Sequence, residues 1–397
     1  MSRLARPDDK ISTSSPRTGG SVFRSIRLVG LAIVALAVSA CGTAWDDDAP
    51  MDTFRPAGSQ ADKIFDLVVP VFLIAGVVFV LVMGAALYIA FKFRAADGDD
   101  ALPEQTHGNT RLEIGWTILP AVILAFVAVF TVATILDLAD QSEDALSIDV
   151  YGQQWWWGYE YDTNSDGAVD FVTANELVIP AGEEVNLSIT SRDVIHSFWA
   201  PALNGKKDAV PGRIHPLTFE AAEPGLYIGQ CTEFCGLSHA YMRLRVVALA
   251  PADYAEWVAN QERQAVEPST PAAEAGKAVF EAQCTTCHLI RGVNQDTYQG
   301  AAQVSGAAPD LTHFASRSGY AGAIFDLYQD VDGDGFGDPE SGEFDIAQLE
   351  AWLRNPPAEK PLAPDPPADG ELGRGMPNLN LTEQQIDDLV AYLTGLE

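Results

Sequence analysis

The sequence predicts a multidomain chain: a two-helix transmembrane hairpin, then an all-β domain, then an all-α domain. Three observations carry that reading. Two uninterrupted apolar runs, 67–91 and 114–136, come early; short β-type runs broken by turn signals fill 147–250; helical periodicity and a Cys-x-x-Cys-His motif occupy the remainder.

Each apolar run exceeds the roughly 20 residues needed to cross a bilayer, and neither has the polar face of an amphipathic core helix. Lys92, Arg94 and Arg111 lie in the loop between them, and Asp137, Asp140, Glu143 and Asp144 follow the second. The positive-inside rule therefore places the loop in the cytoplasm and everything after residue 140 outside. Upstream, RSIRLVGLAIVALAVSAC sets Arg24 and Arg27 before a short apolar core and small residues before Cys41, the pattern of a secretory signal. Its end resembles a bacterial lipoprotein signal, which implies cleavage before Cys41 and lipid on its sulfur; an uncleaved anchor is the alternative.

The expected organisation is a signal (1–41), an external N-terminal segment (42–63), the hairpin (64–140), the β-domain (141–252), a linker (253–273) and the helical domain (274–397). SIDVY, ELVIP, VNLSIT, LTFEA, GLYIGQ and YMRLRVV, punctuated by NSDG, PAGEE, NGKKD and EPG, predict a sandwich or barrel. In the last part, Ile386, Leu389, Val390 and Leu393 form a helical stripe behind a Thr382/Gln385 capping box. With 55 Asp plus Glu against 24 Lys plus Arg, a net charge of −31, the chain is unsuited to nucleic acid and suited to basic partners or plain solubility.

Five cysteines, one alone and two close pairs, do not make a disulfide scaffold. Cys284-Thr-Thr-Cys287-His288 has the haem c attachment spacing, in which two thiols reach the porphyrin and the imidazole falls under the iron. A redox dithiol would call for a βαβ context. Met376 is the expected sixth ligand, being the one methionine of the helical domain, with His313 as competitor. CTEFCGLSHAYM (231–242) points to copper. His196, Cys231, His239 and Met242 would already furnish a mononuclear blue-copper set. Cys235 is then left over, so the two thiolates can bridge two coppers, with the Glu233 carbonyl as a further ligand. A Cys231–Cys235 disulfide and a zinc site are the alternatives.

EIGWTILP (113–120), YGQQWWWGYEY (151–161), DVIHSFWAPALNGKKDAVPGR (193–213) and YIGQCTEFCGLSHAYM (227–242) together resemble subunit II of the haem-copper cytochrome c oxidases. The helical part is similar to the cytochrome c domain fused to that subunit in caa-type oxidases. The resemblance implies a cupredoxin-like Greek-key domain with a dinuclear CuA centre held by His196, Cys231, Glu233 (carbonyl), Cys235, His239 and Met242, magnesium at the Glu233 side chain, electron entry at Trp155 and a proton-path entrance at Glu113. It implies partnership with catalytic subunit I and subunit III, a cytochrome c or an upstream quinol-oxidising complex as donor, and a bacterial plasma membrane with both termini and both metal domains outside. A nitric-oxide reductase-like complex, a copper-delivery protein and a soluble nitrous-oxide reductase are the rival readings.

Two expectations come from the residues themselves. Three consecutive tryptophans cannot all point inward in a strand of period two, so at least one of Trp155, Trp156 and Trp157 should be exposed. Asp330, Asp332 and Asp334 match the first half of a calcium loop, and 162–170 repeats the half-match, with acidic turns as the alternative.

Overall fold

The computed structural model describes residues 51–94, 105, 107–142, 145–164, 166–294, 307–331, 336–337, 339–363 and 374–397. Cys41, Asp332 and Asp334 lie outside these.

Helices α1 (Ser59–Lys92) and α2 (Thr110–Leu138) are long enough to cross a bilayer, and their apolar side chains are exposed along their length. A soluble protein would bury such surface. Asn109 caps α2 by accepting from the Arg111 and Leu112 N–H groups. Lys63, near the start of α1, pairs with Asp137, near the end of α2, at 2.8 Å. The helices are thus antiparallel. The same end is tied to the β-domain, through Ser59 to Glu220 and Gln60 to Glu184.

The β-domain is a sandwich. One sheet holds β3 (Phe171–Ala174), β2 (Trp156–Asp162), β1 (Leu146–Gln153), β5 (Val185–Ser191) and β8 (His215–Phe219) in that order; the other holds β4 (Glu176–Pro180), β10 (Arg243–Leu249) and β9 (Gly225–Gln230). A short ribbon of β6 (His196–Phe198) and β7 (Lys207–Ala209) closes one end. Alternation assigns the faces: Val185, Leu187 and Ile189 from β5 meet Leu244, Val246 and Ala248 from β10 in the core. The same alternation turns Glu176 and Arg245, partners in the parallel β4–β10 register, to the outer face.

That outer face is not solvated. Glu176 is 4% and Arg245 3% exposed, because the helical domain sits on them. Glu176 accepts from the Ser318 and Gly319 N–H groups (2.6 and 2.9 Å), and Arg245 donates to Ser318 Oγ (2.7 Å) and Asp326. Arg291 adds a bond to the Asp170 carbonyl.

The helical domain pairs α4 (Pro271–Gln283) with α7 (Glu383–Leu393), with α5 (Ile346–Arg354) and α6 (Pro356–Glu359) beside them. The Ile386, Leu389, Val390 and Leu393 stripe lies in its core, and the Thr382/Gln385 capping box forms. The stretch read as a linker is partly helical: α3 (Pro251–Gln261) packs Trp257 and Val258 onto the sandwich, and the Gln261 carbonyl is held by Arg291.

The tryptophan expectation is overturned. Trp155, Trp156 and Trp157 are 5%, 6% and 0% exposed. Trp155 occupies the turn ahead of β2, so alternation does not apply to it. Trp157 points into the core, Trp156 stacks edge-on to Tyr151 on the other face, and Trp155 lies under the helical domain.

Glu176→Ala leaves two N–H donors unsatisfied in a buried interface, at about 1–3 kcal/mol for each. Denaturant unfolding followed in the helical domain should shift to lower midpoint, with the sandwich transition less affected.

Candidate metal centres

The first site sits where β6, β9 and β10 end. Cys231 follows β9, and its N–H donates to the Met242 carbonyl at 2.9 Å, which closes the loop between β9 and β10. A 3-10 turn (His239–Tyr241) swings His239 inward. The sulfurs of Cys231 and Cys235 are 3.8 Å apart and free, so the disulfide alternative is not the structure. His196 Nδ1 lies 3.9 Å from Cys231 Sγ, His239 Nδ1 3.6 Å from Cys235 Sγ, and Met242 Sδ 3.8 Å from Cys235 Sγ. The Glu233 carbonyl oxygen is 3.2 Å from Cys231 Sγ, while its carboxylate faces solvent. All six expected residues therefore converge. Gly152 makes room, since a Cβ there would come within 2.7 Å of the His196 ring.

The electrostatics suit a cation. A hydrogen bond from Cys235 draws the Cys231 thiol well below its usual range, and the same contact holds the Cys235 thiol far above it, because a second proton must leave beside an existing thiolate. Positive charge placed between the sulfurs removes that obstacle. Two thiolates, two imidazoles and a thioether form a soft donor set that favours copper over a hard cation. Among the described residues, His196, Cys231 and Cys235 are the one cluster of His, Cys, Asp and Glu close enough to hold a metal ion.

Sequence reasoning missed the residues behind this set. Asp193 accepts from His196 Nε2 at 2.8 Å, and from the Gln154 and Val194 N–H groups. Burial would raise Asp193, but these bonds hold its carboxyl below the usual range. Burial would likewise lower His196, yet Asp193 and Cys231 hold the imidazole above its usual value. The carboxylate fixes the tautomer that turns Nδ1 toward the sulfurs. The three-residue spacing in DVIH was its available signal. Gln154 Nε2 and Trp155 Nε1 both donate to the Cys235 carbonyl, at 2.7 and 3.0 Å.

The second site follows α4. Cys284 and Cys287 are free, half-buried thiols on a tight turn, and the His288 N–H bonds the Cys284 carbonyl at 2.9 Å. Burial raises both thiols, Cys284 to about 11. It also lowers His288, which keeps the ring neutral. Nδ1 meets the Pro309 carbonyl at 2.8 Å, so Nε2 is left for a metal. Met376 is half-buried against the same core. His313, the competitor, faces the Glu397 and Arg263 carbonyls with its two ring nitrogens and is spoken for.

The remaining candidates stand apart. Glu113 is exposed in the first turn of α2, at the end of the hairpin away from the sandwich. Asp162 and Asp166 turn their carboxylates onto N–H groups of their own loop, and Asp170 onto Thr163.

Family models match along the chain: cytochrome c oxidase subunit II, transmembrane domain, over 51–134; cytochrome c oxidase subunit II, periplasmic domain, over 146–249; and cytochrome c over 273–397. The chain is 33% identical to cytochrome c oxidase subunit 2 of Alkalihalophilus pseudofirmus, across 86% of this chain and 90% of that one. It is 29% identical to the Bacillus subtilis protein of the same name, across 92% and 96%. Among solved structures, the periplasmic domain of subunit II of cytochrome oxidase from Bradyrhizobium japonicum is 32% identical over 31% of this chain and 96% of that one, with a TM-score of 0.29.

Asp193→Ala removes the carboxylate that orients His196. Copper affinity, measured by chelator competition, should fall about 10- to 100-fold.

Proposed function

Since the chain belongs to the cytochrome c oxidase subunit II family, with a cytochrome c domain at its C-terminal end, and serves electron transfer in a respiratory oxidase, we propose a fixed order for that transfer: outside donor, haem, copper pair, catalytic subunit. When bound, the haem and the two coppers supply the one-electron couples. Cys284 and Cys287 would hold the haem covalently, with His288 and Met376 as ligands to its iron. His196, Cys231, the Glu233 carbonyl, Cys235, His239 and Met242 hold the coppers.

The observation that carries the order is the position of Trp155. Its indole is bonded to the Cys235 carbonyl, and it is 5% exposed beneath the helical domain. A soluble donor has no access to it. The tethered domain fills the docking surface, and the interface at Glu176 and Arg245 makes it a docked partner instead of a loose tether.

Further residues fit the same assembly. Phe234, Ile195 and Ile214 are exposed beside the ligand loop, an apolar margin suited to catalytic subunit I. The outward Glu233 carboxylate is the proposed magnesium ligand at that contact, and subunit III completes the complex. Positive charge in the hairpin loop supports a cytoplasmic loop with Glu113 at a proton entrance, and both metal domains on the outer face of a bacterial plasma membrane. The acidic chain suits a basic donor, whether a cytochrome c or the upstream quinol-oxidising complex.

Met376→Leu tests the entry point. It should abolish the methionine–iron absorption band, lower the haem potential and slow copper reduction by an external donor, with the copper spectrum unchanged. Copper reduction at the native rate in this variant would contradict entry through the haem.

A further inference from the structure

Residues 360–363 of the helical domain contact the neighbours of a ligand at each metal site, Arg374 and Gly375 before Met376 and Ser238 before His239. At one end, Ala363 and Arg374 exchange backbone hydrogen bonds of 3.0 and 2.6 Å, two residues before Met376. Leu362 seats there so closely that a Cβ on Gly375 would fall 2.6 Å from its side chain. At the other end, the Pro361 carbonyl accepts from Ser238 Oγ, next to His239. The Lys360 ammonium donates to the carbonyls of Trp155 (2.9 Å) and Ala321 (2.7 Å).

Lys360 stands out among these. Lysine is rarely buried without a partner, yet Lys360 is 3% exposed. Burial pushes its ammonium down to about 7. Its two acceptors belong to different domains, Trp155 to the sandwich and Ala321 to the helical domain. The packing around it leaves no slack. Gly322 has φ +85°, and a Cβ there would lie 2.6 Å from Lys360 Nζ and 2.9 Å from the Trp155 carbonyl oxygen. The Gly322 carbonyl itself accepts from the Arg243 N–H, at the foot of the ligand loop.

We propose that residues 360–363 are a strap that fixes the Met376 loop against the copper loop and gives the electron a continuous bonded route between them, with Lys360 as its positioning residue. This rests on the ligand assignments above. One branch runs from Met376 through Arg374, Ala363 and Pro361 to Ser238 and His239. The other leaves at Lys360 for Trp155, whose indole reaches the Cys235 carbonyl. When bound, the haem and the copper pair would supply the two one-electron couples, and the residues of the strap would make or break no bond and move no proton. Tunnelling decays more steeply through gaps than along covalent and hydrogen-bonded atoms. Loosening the strap therefore slows the transfer while both metal sites stay intact.

The test uses Lys360→Met in the full chain. Four readouts are taken: copper and haem content, optical and EPR spectra with both potentials, hydrogen exchange of 236–242 and 374–376, and the haem-to-copper rate after flash reduction of the haem. The expected result is unchanged content and spectra, faster exchange in both segments, and transfer slowed roughly 10- to 100-fold, as for a displaced reacting group, after correction for the shift in copper potential that loss of the positive charge felt by Cys235 produces. An unchanged rate, or exchange rising in neither segment, overturns the strap. If Lys360→Met does not fold, Ser238→Ala, which removes the bond to Pro361, is judged by the same criteria. Failure of the ligand reading is distinguishable, because it appears in the unsubstituted chain as missing copper or haem.

Discussion

The buried polar contact on the outer face of the three-stranded sheet governs the rest of the architecture. Strand alternation turns Glu176 and Arg245 away from the sandwich core, where water would ordinarily solvate them. Here Ser318, Gly319 and Asp326 replace the water. Buried charged groups are costly when unpaired and are retained only where partners are in place, so this contact specifies one docking geometry. That geometry puts the helical domain over Trp155 and its 360–363 segment against the ligand loop.

The copper site applies the same logic at shorter range. Its thiols come from one loop, and once Cys231 has ionised the Cys235 thiol resists losing its proton beside that thiolate without a cation between them. Backbone hydrogen bonding at Cys231 and Met242 closes that loop, and Asp193 orients His196 from behind. Gln154 and Trp155 hold the Cys235 carbonyl. The ligands are thus held by the strand ends and by a second layer of hydrogen bonds, an arrangement suited to a centre that must change charge with little movement.

Much of this was legible in the sequence because local chemistry determined it. The apolar runs gave the hairpin, Cys-x-x-Cys-His the haem attachment, and Thr382 with Gln385 the capped final helix. The ligand loop could be read because soft donors clustered within twelve positions, and the structure brings those six residues together. What escaped was set by tertiary contact. Strand periodicity predicts an exposed tryptophan in WWW, whereas Trp155 lies in the turn ahead of β2 and both faces of β2 are buried. The buried state of Trp155 depends on Lys360, some two hundred positions away and hidden in a proline-rich run with no periodicity. The expected linker, 253–273, begins inside α3, which packs Trp257 and Val258 on the sandwich at long range. Long-range partners of this kind leave no local pattern.

The most direct test of the central claim, that two coppers and one haem share this chain as a fixed relay, is metal and haem analysis of the purified full chain with EPR of its copper signal. The account predicts two coppers and one covalent haem per chain, with the unpaired electron shared equally by the two coppers. One copper, an electron localised on a single ion, or no covalent haem would contradict it.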